Sequence, residues 1–408
     1  MAPSTSNAFL DMFAHIRQPQ AGPSTPGGQS HGRPKPIVSA PMNGWSGTKL
    51  VAAVANHGGL PMFPIGYFTD PSKIIKDLQS VVPLLTNTET QKENALDGTH
   101  PQGTTTTTTF MPYGVGFITF WLDRQGPELL LRILKGEGDL PGQHSAPRPP
   151  AAVWFSFGDY RPYLKLVREH GAPGTRVIVQ VQTVEQALEA QRDKVDVIVL
   201  QGTESGGHGA QRVNPIMTLL PETVQALQKE VALTASSPSS QGEPLAMPVI
   251  LAAGGISTPG QWKAVQAMGA SGVVVGTGFM LTHEAPGSQR AKDIMIKTQD
   301  GGVSTVRTRI FDELREFDWP KSFDGRVIRN KITDREEEDQ RQRGIFEPTG
   351  LAAFKLLKED RTGTKEDWLL AQKEEDYDVL PIWCGAGVGL LKKQISVAEF
   401  MDNLMGDA

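Results

Sequence analysis

Short apolar runs recur eight times between residues 36 and 275, and most are separated by stretches with helical spacing. Runs of this length that end in glycine or polar turns are typical of buried strands. Eight strands that alternate with helices over about 250 residues favour a closed (β/α)8, or TIM, barrel over a doubly wound open sheet. The eight runs cover residues 36–40, 60–63, 114–120, 151–157, 176–181, 195–200, 248–253 and 271–275.

The segments around these runs differ from them in composition. Residues 1–35 are rich in proline, serine and glycine, and we expect a disordered N-terminal arm. The barrel is expected to span residues 36–290, with polar surface inserts near 84–109 and 235–243. Residues 291–408 are charged and mostly helical in pattern, which predicts a C-terminal helical cap region that packs on the barrel.

The segment Gln201–Gly209 carries the strongest chemical signal, because four glycines and one histidine follow directly on the sixth predicted strand. Glycine lets the backbone adopt positive φ and approach a flat ligand closely. His208 has the side-chain type that titrates near neutral pH. The segment therefore predicts an active-site loop at the end of a barrel strand, with His208 as the reactive group. Glu204 is expected either to orient His208 or to cap the next turn.

Two further glycine turns end the seventh and eighth predicted strands, at Gly254–Gly255 and at Gly276–Thr277. Successive turns of this kind offer backbone N–H groups to a phosphate, and in TIM barrels the loops after strands 7 and 8 form such a site. Neither turn contains lysine or arginine, so amide dipoles alone would hold the phosphate. Ordinary turns that need glycine only for their geometry are the alternative.

Composition excludes several other classes of protein. A net charge of −5 argues against a nucleic-acid partner, and no apolar stretch is long enough to span a membrane. The single cysteine, Cys384, excludes an internal disulfide and fits a cytoplasmic location, with an organelle presequence in residues 1–33 as the alternative. The histidines lack metal-ligand spacing, so no metal is expected. The charge run at 334–339 is expected on a solvated helix face.

With these segments in this order, the chain resembles the nitronate monooxygenases, formerly called 2-nitropropane dioxygenases, and most closely their fungal members. The resemblance covers nearly everything from Pro36 to about Met401 outside the two inserts. The segments that carry it are 37–42, 113–119, 201–209, 253–256, 276–277, 324–330 and 383–389. The family is FMN-dependent and does not require a reduced nicotinamide. The resemblance therefore implies oxidation of alkyl nitronates, and in some members nitroalkanes, by dioxygen to a carbonyl compound and nitrite.

The resemblance also implies residue roles. His208 corresponds to the family's active-site histidine, which removes the α-proton where neutral nitroalkanes are accepted. Gln180 stands near the position where some bacterial members have lysine. The residues expected to bind FMN are Ala40, Pro41, Met42, Gln180, Gln201, Gly206, Gly207, Gly254, Gly255, Gly276 and Thr277.

Three other functions fit the same sequence features. The first is an FMN-dependent reductase of enoyl thioesters or quinones that takes electrons from NADH or NADPH. The second is a pathway-specific flavin oxidoreductase of fungal secondary metabolism. The third is a phosphate-binding barrel without redox chemistry, such as an isomerase. The substrate is expected to be a small molecule in each case, and the oligomeric state is left open.

Overall fold

The computed structural model describes residues 5–14, 34–85, 110–142, 146–236, 245–343 and 365–406. Eight parallel strands close into a barrel in the order β1-β2-β3-β4-β5-β6-β8-β9, which confirms the predicted TIM barrel. The barrel strands are β1 (Ile37–Ser39), β2 (Leu60–Ile65), β3 (Met111–Ile118), β4 (Pro150–Ser156), β5 (Arg176–Val181), β6 (Val197–Gln201), β8 (Val249–Ala253) and β9 (Gly272–Val275).

Helices surround the barrel and continue beyond it. Those up to the last barrel strand are α1 (Thr5–Met12), α2 (Thr48–Asn56), α3 (Pro71–Gln79), α4 (Thr119–Gln125), α5 (Glu128–Leu134), α6 (Arg161–His170), α7 (Val184–Arg192), α8 (Ile216–Ala235) and α9 (Pro259–Ala267). Those that follow are α10 (Thr277–Met280), α11 (Gln289–Lys297), α12 (Gly301–Ser304), α13 (Ile310–Leu314), α14 (Lys331–Arg343), α15 (Lys365–Glu374) and α16 (Val397–Met405). None of the described helices is long and apolar enough to cross a bilayer.

The barrel strands read as unbroken apolar runs because both of their faces are buried. In β6, Val197 and Val199 belong to the cluster inside the barrel, whereas Ile198 and Leu200 belong to the cluster that packs under the helices. This alternation follows the two-residue repeat of a strand. Continuous burial is why the sequence signals these strands so clearly.

A second sheet stands at the mouth of the barrel and was not predicted. The strands β7 (Gly207–Ala210), β10 (Thr305–Thr308) and β11 (Phe323–Ile328) pair antiparallel in the order β10-β11-β7. His208 therefore lies on a short strand rather than in a loop, with Gly325 as its partner. The C-terminal region is consequently not wholly helical. The glycine-rich β7 has no apolar alternation, and its partner lies far along the chain, so local pattern gives no strand signal here.

The N-terminal arm contains a packed helix, which corrects the expectation of disorder for residues 5–14. Phe9 and Phe13 are 0% and 1% exposed, and they belong to the same apolar cluster as the residues inside the barrel. The pattern predictions missed this helix because it is short and lies beside a proline- and glycine-rich stretch. The polar inserts expected near 84–109 and 235–243 lie almost entirely outside the described residues.

The charge run on α14 is not uniformly solvated, which corrects a further expectation. Glu336 is only 5% exposed, and its Oε2 accepts a hydrogen bond from Thr308 Oγ1 at 2.5 Å. Burial raises the pKa of Glu336 from 4.5 to about 7. Its neighbour Glu337 instead pairs with Arg329 on the surface.

Candidate active site

One cavity lies at the C-terminal end of the barrel, where the turns after the strands converge. Its lining includes every residue that the sequence predicted for the site. Side chains from different strand ends thus face one space, which is where TIM barrels carry their active sites. These residues are Ala40, Pro41, Met42, Gln180, Gln201, Gly206, Gly207, His208, Gly254, Gly255, Gly276 and Thr277.

The cavity wall formed by residues 40–42, just after β1, packs closely against β3. A Cβ atom at Gly116 would stand 2.6 Å from Pro41 Cβ, so only glycine leaves room for the proline at this height of the barrel. Ser46 holds the same turn, because its hydroxyl donates to the carbonyl of Ala40 and accepts from the backbone N–H of Met42. Residues 40–42 therefore form a rigid, mainly apolar wall.

The glycine turns after β8 and β9 meet a third segment that the site prediction did not include. Gly254 and Gly255 both have positive φ. A Cβ at Gly387 would lie 2.6 Å from the carbonyl oxygen of Gly255, so this late glycine packs directly on the turn. The N–H of Gly385 donates to Thr277 Oγ1 at 2.9 Å. The segment was part of the family resemblance, but its position against the turns could not be deduced from its spacing.

Ser205 contributes a buried hydroxyl beside these turns. Its side chain lines the cavity, the residue is 8% exposed, and its Oγ has no hydrogen-bond partner among the described residues. A Cβ at Gly254 would lie 2.9 Å from this oxygen. Buried polar groups are nearly always hydrogen-bonded, so an unpaired hydroxyl at a cavity wall indicates a ligand that completes it.

Three glutamines form a hydrogen-bonded chain beneath His208. Gln201 Oε1 accepts from Gln180 Nε2 and from Gln182 Nε2, each at 2.9 Å. Gln201 Nε2 in turn donates to the backbone carbonyl of His208 at 2.9 Å. The chain fixes the strand that carries the histidine, and Gln182 was not among the predicted residues.

His208 is hydrogen-bonded through one ring nitrogen to a carboxylate of the cap. Its Nε2 lies 2.8 Å from Asp312 Oδ2 and 3.0 Å from Oδ1. Asp312 is fully buried and also accepts from Arg315 Nη2 at 2.9 Å. Burial lowers the pKa of His208 below its ordinary 6.5, and this effect outweighs the opposing influence of Asp312. The imidazole is therefore neutral at neutral pH, with Nε2–H directed at Asp312.

Two indole rings flank the imidazole of His208, and we call them the indole pair, Trp319 and Trp383. The Trp319 ring is parallel to the imidazole, with centroids 3.7 Å apart and an interplanar angle of 1°. The Trp383 centroid is 4.8 Å away, at 29°. Trp319 is fixed by a hydrogen bond from its Nε1 to the hydroxyl of Tyr67 at 2.5 Å.

Sequence reasoning missed the cap's contribution to this site. Asp312 and Arg315 lie one helical turn apart on and just after α13, and the loop that follows α13 carries Trp319. Nothing in their local pattern separates them from an ordinary charged surface helix. Glu204 was expected either to orient His208 or to cap the next turn. Its carboxylate accepts a hydrogen bond from the N–H of Ile216, at the start of α8, and so acts as a cap.

The chain is similar to known proteins over most of its length. The family model for nitronate monooxygenase matches residues 145–407. A nitronate monooxygenase of Metarhizium robertsii is 32% identical over an alignment of 306 residues, and the match covers 72% of this chain and 72% of that protein. Two solved structures share the fold. FabK from Thermotoga maritima has a TM-score of 0.61 at 19% identity, with 91% of this chain and 92% of that chain covered. A nitroalkane oxidase from Streptomyces ansochromogenes has a TM-score of 0.60 at 22% identity, with 92% and 96% covered. The chain therefore belongs to the nitronate monooxygenase family of flavin-dependent oxidoreductases.

Proposed function

We propose that this protein oxidises alkyl nitronates with dioxygen to a carbonyl compound and nitrite, and that its cofactor is FMN. One observation carries the proposal: a single cavity combines a neutral, oriented histidine with glycine turns suited to a phosphate. Membership of the nitronate monooxygenase family supports the same reaction.

The residues at the turns suit the phosphate of FMN. Gly254, Gly255, Gly276 and Thr277 would present backbone N–H groups to it, as phosphate sites in barrels do. The unpaired hydroxyl of Ser205 would add one further donor. FAD would need a second nucleotide-binding motif for its adenosine half, with enough chain around it to form a binding fold. The sequence contains no such motif, which favours FMN over FAD.

The remaining predicted residues suit the flavin ring system. Ala40, Pro41 and Met42 offer it an apolar wall, and Gln180 and Gln201 offer it carboxamides. FMN, when bound, supplies the electron transfer between the nitronate and dioxygen. The protein supplies the binding surface, the orientation and the exclusion of water.

His208 is proposed as the general base for neutral nitroalkanes. Asp312 accepts the Nε2–H, which leaves the lone pair on Nδ1 to take the α-proton of the substrate. A base must present a free lone pair, and burial, which lowers the pKa of His208, favours the neutral imidazole that has one. Preformed nitronates have already lost this proton, so for them His208 would only help to position the anion.

A visible spectrum tests the proposal directly. The purified protein should show flavin absorbance, which should bleach when propionate 3-nitronate is added without oxygen and return in air with release of nitrite. NADH and NADPH should leave the spectrum unchanged. A colourless protein after FMN supplementation would contradict the proposal. Bleaching by a reduced nicotinamide but not by the nitronate would instead identify the reductase alternative.

A further inference from the structure

The indole pair and Asp312 together restrict how His208 can meet a substrate. Trp319 covers one face of the imidazole and Trp383 lies against the ring at 29°, while Asp312 occupies the Nε2 edge. Of the two ring nitrogens, Nδ1 is therefore the one left for a substrate. Because Trp319 is held by Tyr67, the ring plane of His208 is set by the protein rather than by the substrate.

The same geometry bears on the protonated histidine. A cation within about 6 Å of an indole centroid is attracted by the ring's negative face, and tryptophan is the strongest such partner. Both centroids of the indole pair lie within that distance of the imidazole. Trp383 also lies 5.3 Å from the guanidinium of Arg315, whereas Trp319 stacks directly on His208. Trp319 should therefore contribute more.

We propose that the indole pair positions His208 and stabilises its imidazolium form, so that the base keeps enough proton affinity to work in a buried site. The inference rests on the proposed role of His208 as the base. The charged groups around His208 are Asp312 and Arg315 from the cap and Asp324 from β11, which pairs with Arg307. Asp312 and Asp324 favour the imidazolium and Arg315 opposes it. The indole faces would add to the stabilisation of the imidazolium that the two carboxylates provide.

Fluorinated tryptophan tests this proposal without changing the shape or burial of the site. Fluorine withdraws electron density from the indole face, so the flavin-loaded protein made with 5-fluoro- and then more highly fluorinated tryptophan should show a stepwise fall in the pKa of His208. A total fall of roughly half a unit to one unit is expected from the size of such contacts. The pKa is read from the ring signals of isotope-labelled histidine in NMR, with His208→Asn to assign them.

The control removes the indole pair and keeps the other tryptophans. In the Trp319→Phe/Trp383→Phe protein, fluorination should leave the pKa of His208 unchanged. If this double variant does not fold, Trp319→Phe alone should lose more of the fluorine effect than Trp383→Phe. An unchanged pKa in the fluorinated wild type would overturn the proposal, and so would a ring that stays neutral down to acid unfolding in every sample. These readings need no turnover, so failure of the nitronate assay would be a separate result.

Discussion

At the scale of single residues, the chemistry of His208 is set by burial and by one hydrogen bond. Burial favours the neutral imidazole, and Asp312 decides which nitrogen carries the proton. A histidine on an exposed loop without these neighbours would be partly charged near pH 6.5 and free to rotate. Both properties come from the cap, which is why the histidine could be found from sequence and its state could not.

The first prediction concerns the asymmetry between two substrates. His208→Asn should lower kcat/KM for neutral nitroalkanes by about 100- to 10,000-fold, the usual contribution of a positioned base, and lower that for preformed nitronates much less. Equal losses on both substrates would show that His208 acts in binding or packing. In the wild type, the depressed pKa means that nitroalkane activity should hold through neutral pH and fall only below about pH 6.5.

The second prediction concerns Ser205, whose hydroxyl has no partner among the described residues. Hydrogen bonds to charged groups contribute about 1.5–3 kcal/mol, so Ser205→Ala should weaken FMN binding roughly tenfold or more. Flavin fluorescence during titration of the apoprotein gives the Kd. Riboflavin, which lacks the phosphate, is the matched control, and its Kd should not change. A parallel loss for riboflavin would place Ser205 away from the phosphate.

Among the secondary-structure elements, the turns after β8 and β9 bring the backbone to the edge of the cavity, and Gly276 has open space beside it. Among the described residues, a Cβ at Gly276 would meet only Met42 Sδ at 3.5 Å and Ala40 Cβ at 3.8 Å, which are ordinary contacts. Both of these neighbours are cavity-lining residues. A side chain added at this glycine would therefore start among cavity-lining residues, and its Cβ would clash with none of them.

The third prediction follows from that geometry. Gly276→Val should yield a folded protein with little bound flavin, because the side chain takes the place proposed for the phosphate. Absorbance at flavin and protein wavelengths gives the occupancy, and thermal unfolding of the apoprotein checks the fold. Gly260→Val on α9, where an added Cβ meets no atom of the described part of the chain within 4 Å, is the control and should keep its flavin. Full occupancy in Gly276→Val would contradict the phosphate assignment.

The fourth prediction concerns Glu336 on α14. Its carboxyl is protonated in the folded protein up to about pH 7 but ionises above 4.5 when unfolded, so its contribution to stability declines as the pH rises between these values. Glu336→Gln should therefore raise the free energy of unfolding at pH 8 by roughly 1–3 kcal/mol and have little effect at pH 4. Urea unfolding at both pH values measures this.

The control for α14 is Glu337→Gln on the same helix. Arg329 lowers the pKa of Glu337 by hydrogen bonding, so its ionised form is favoured in the folded state and its removal should bring no gain at pH 8. Equal stabilisation by both substitutions would point to the net charge of the helix rather than to the burial of Glu336.

The elements also show where sequence information ends. The eight barrel strands could be predicted because each is buried on both faces and reads as an apolar run, and the glycine turns at their ends located the candidate site. β7 could not be predicted, since a strand made of glycine, histidine and alanine is defined only by its pairing with β11. Trp319 and Trp383 reach the cavity, and Asp312 reaches His208, through the tertiary packing of the cap, which leaves no periodic pattern in the sequence.

In the molecule as a whole, the candidate site and the packed N-terminal helix α1 involve different parts of the barrel. The C-terminal end holds the cavity, and neither Phe9 nor Phe13 lines it. Both rings nevertheless belong to the apolar cluster inside the barrel, with centroids 5.0 Å apart. We infer that α1 closes the opposite end of the barrel and shields its interior from water. Residues that stabilise the fold through α1 would then lie apart from the residues of the candidate site.

The fifth prediction tests that separation. Phe9→Ala should lower the free energy of unfolding by about 3–5 kcal/mol, because it empties a fully buried ring site. Asp11→Ala, on the exposed side of the same helix, should change it by less than about 0.5 kcal/mol. Since α1 lies away from the cavity, the FMN Kd and the nitronate kcat should stay near wild type at temperatures where the variant is folded. If neither variant loses stability, α1 does not pack on the barrel in solution. If Phe9→Ala loses FMN affinity, the two ends of the barrel are coupled.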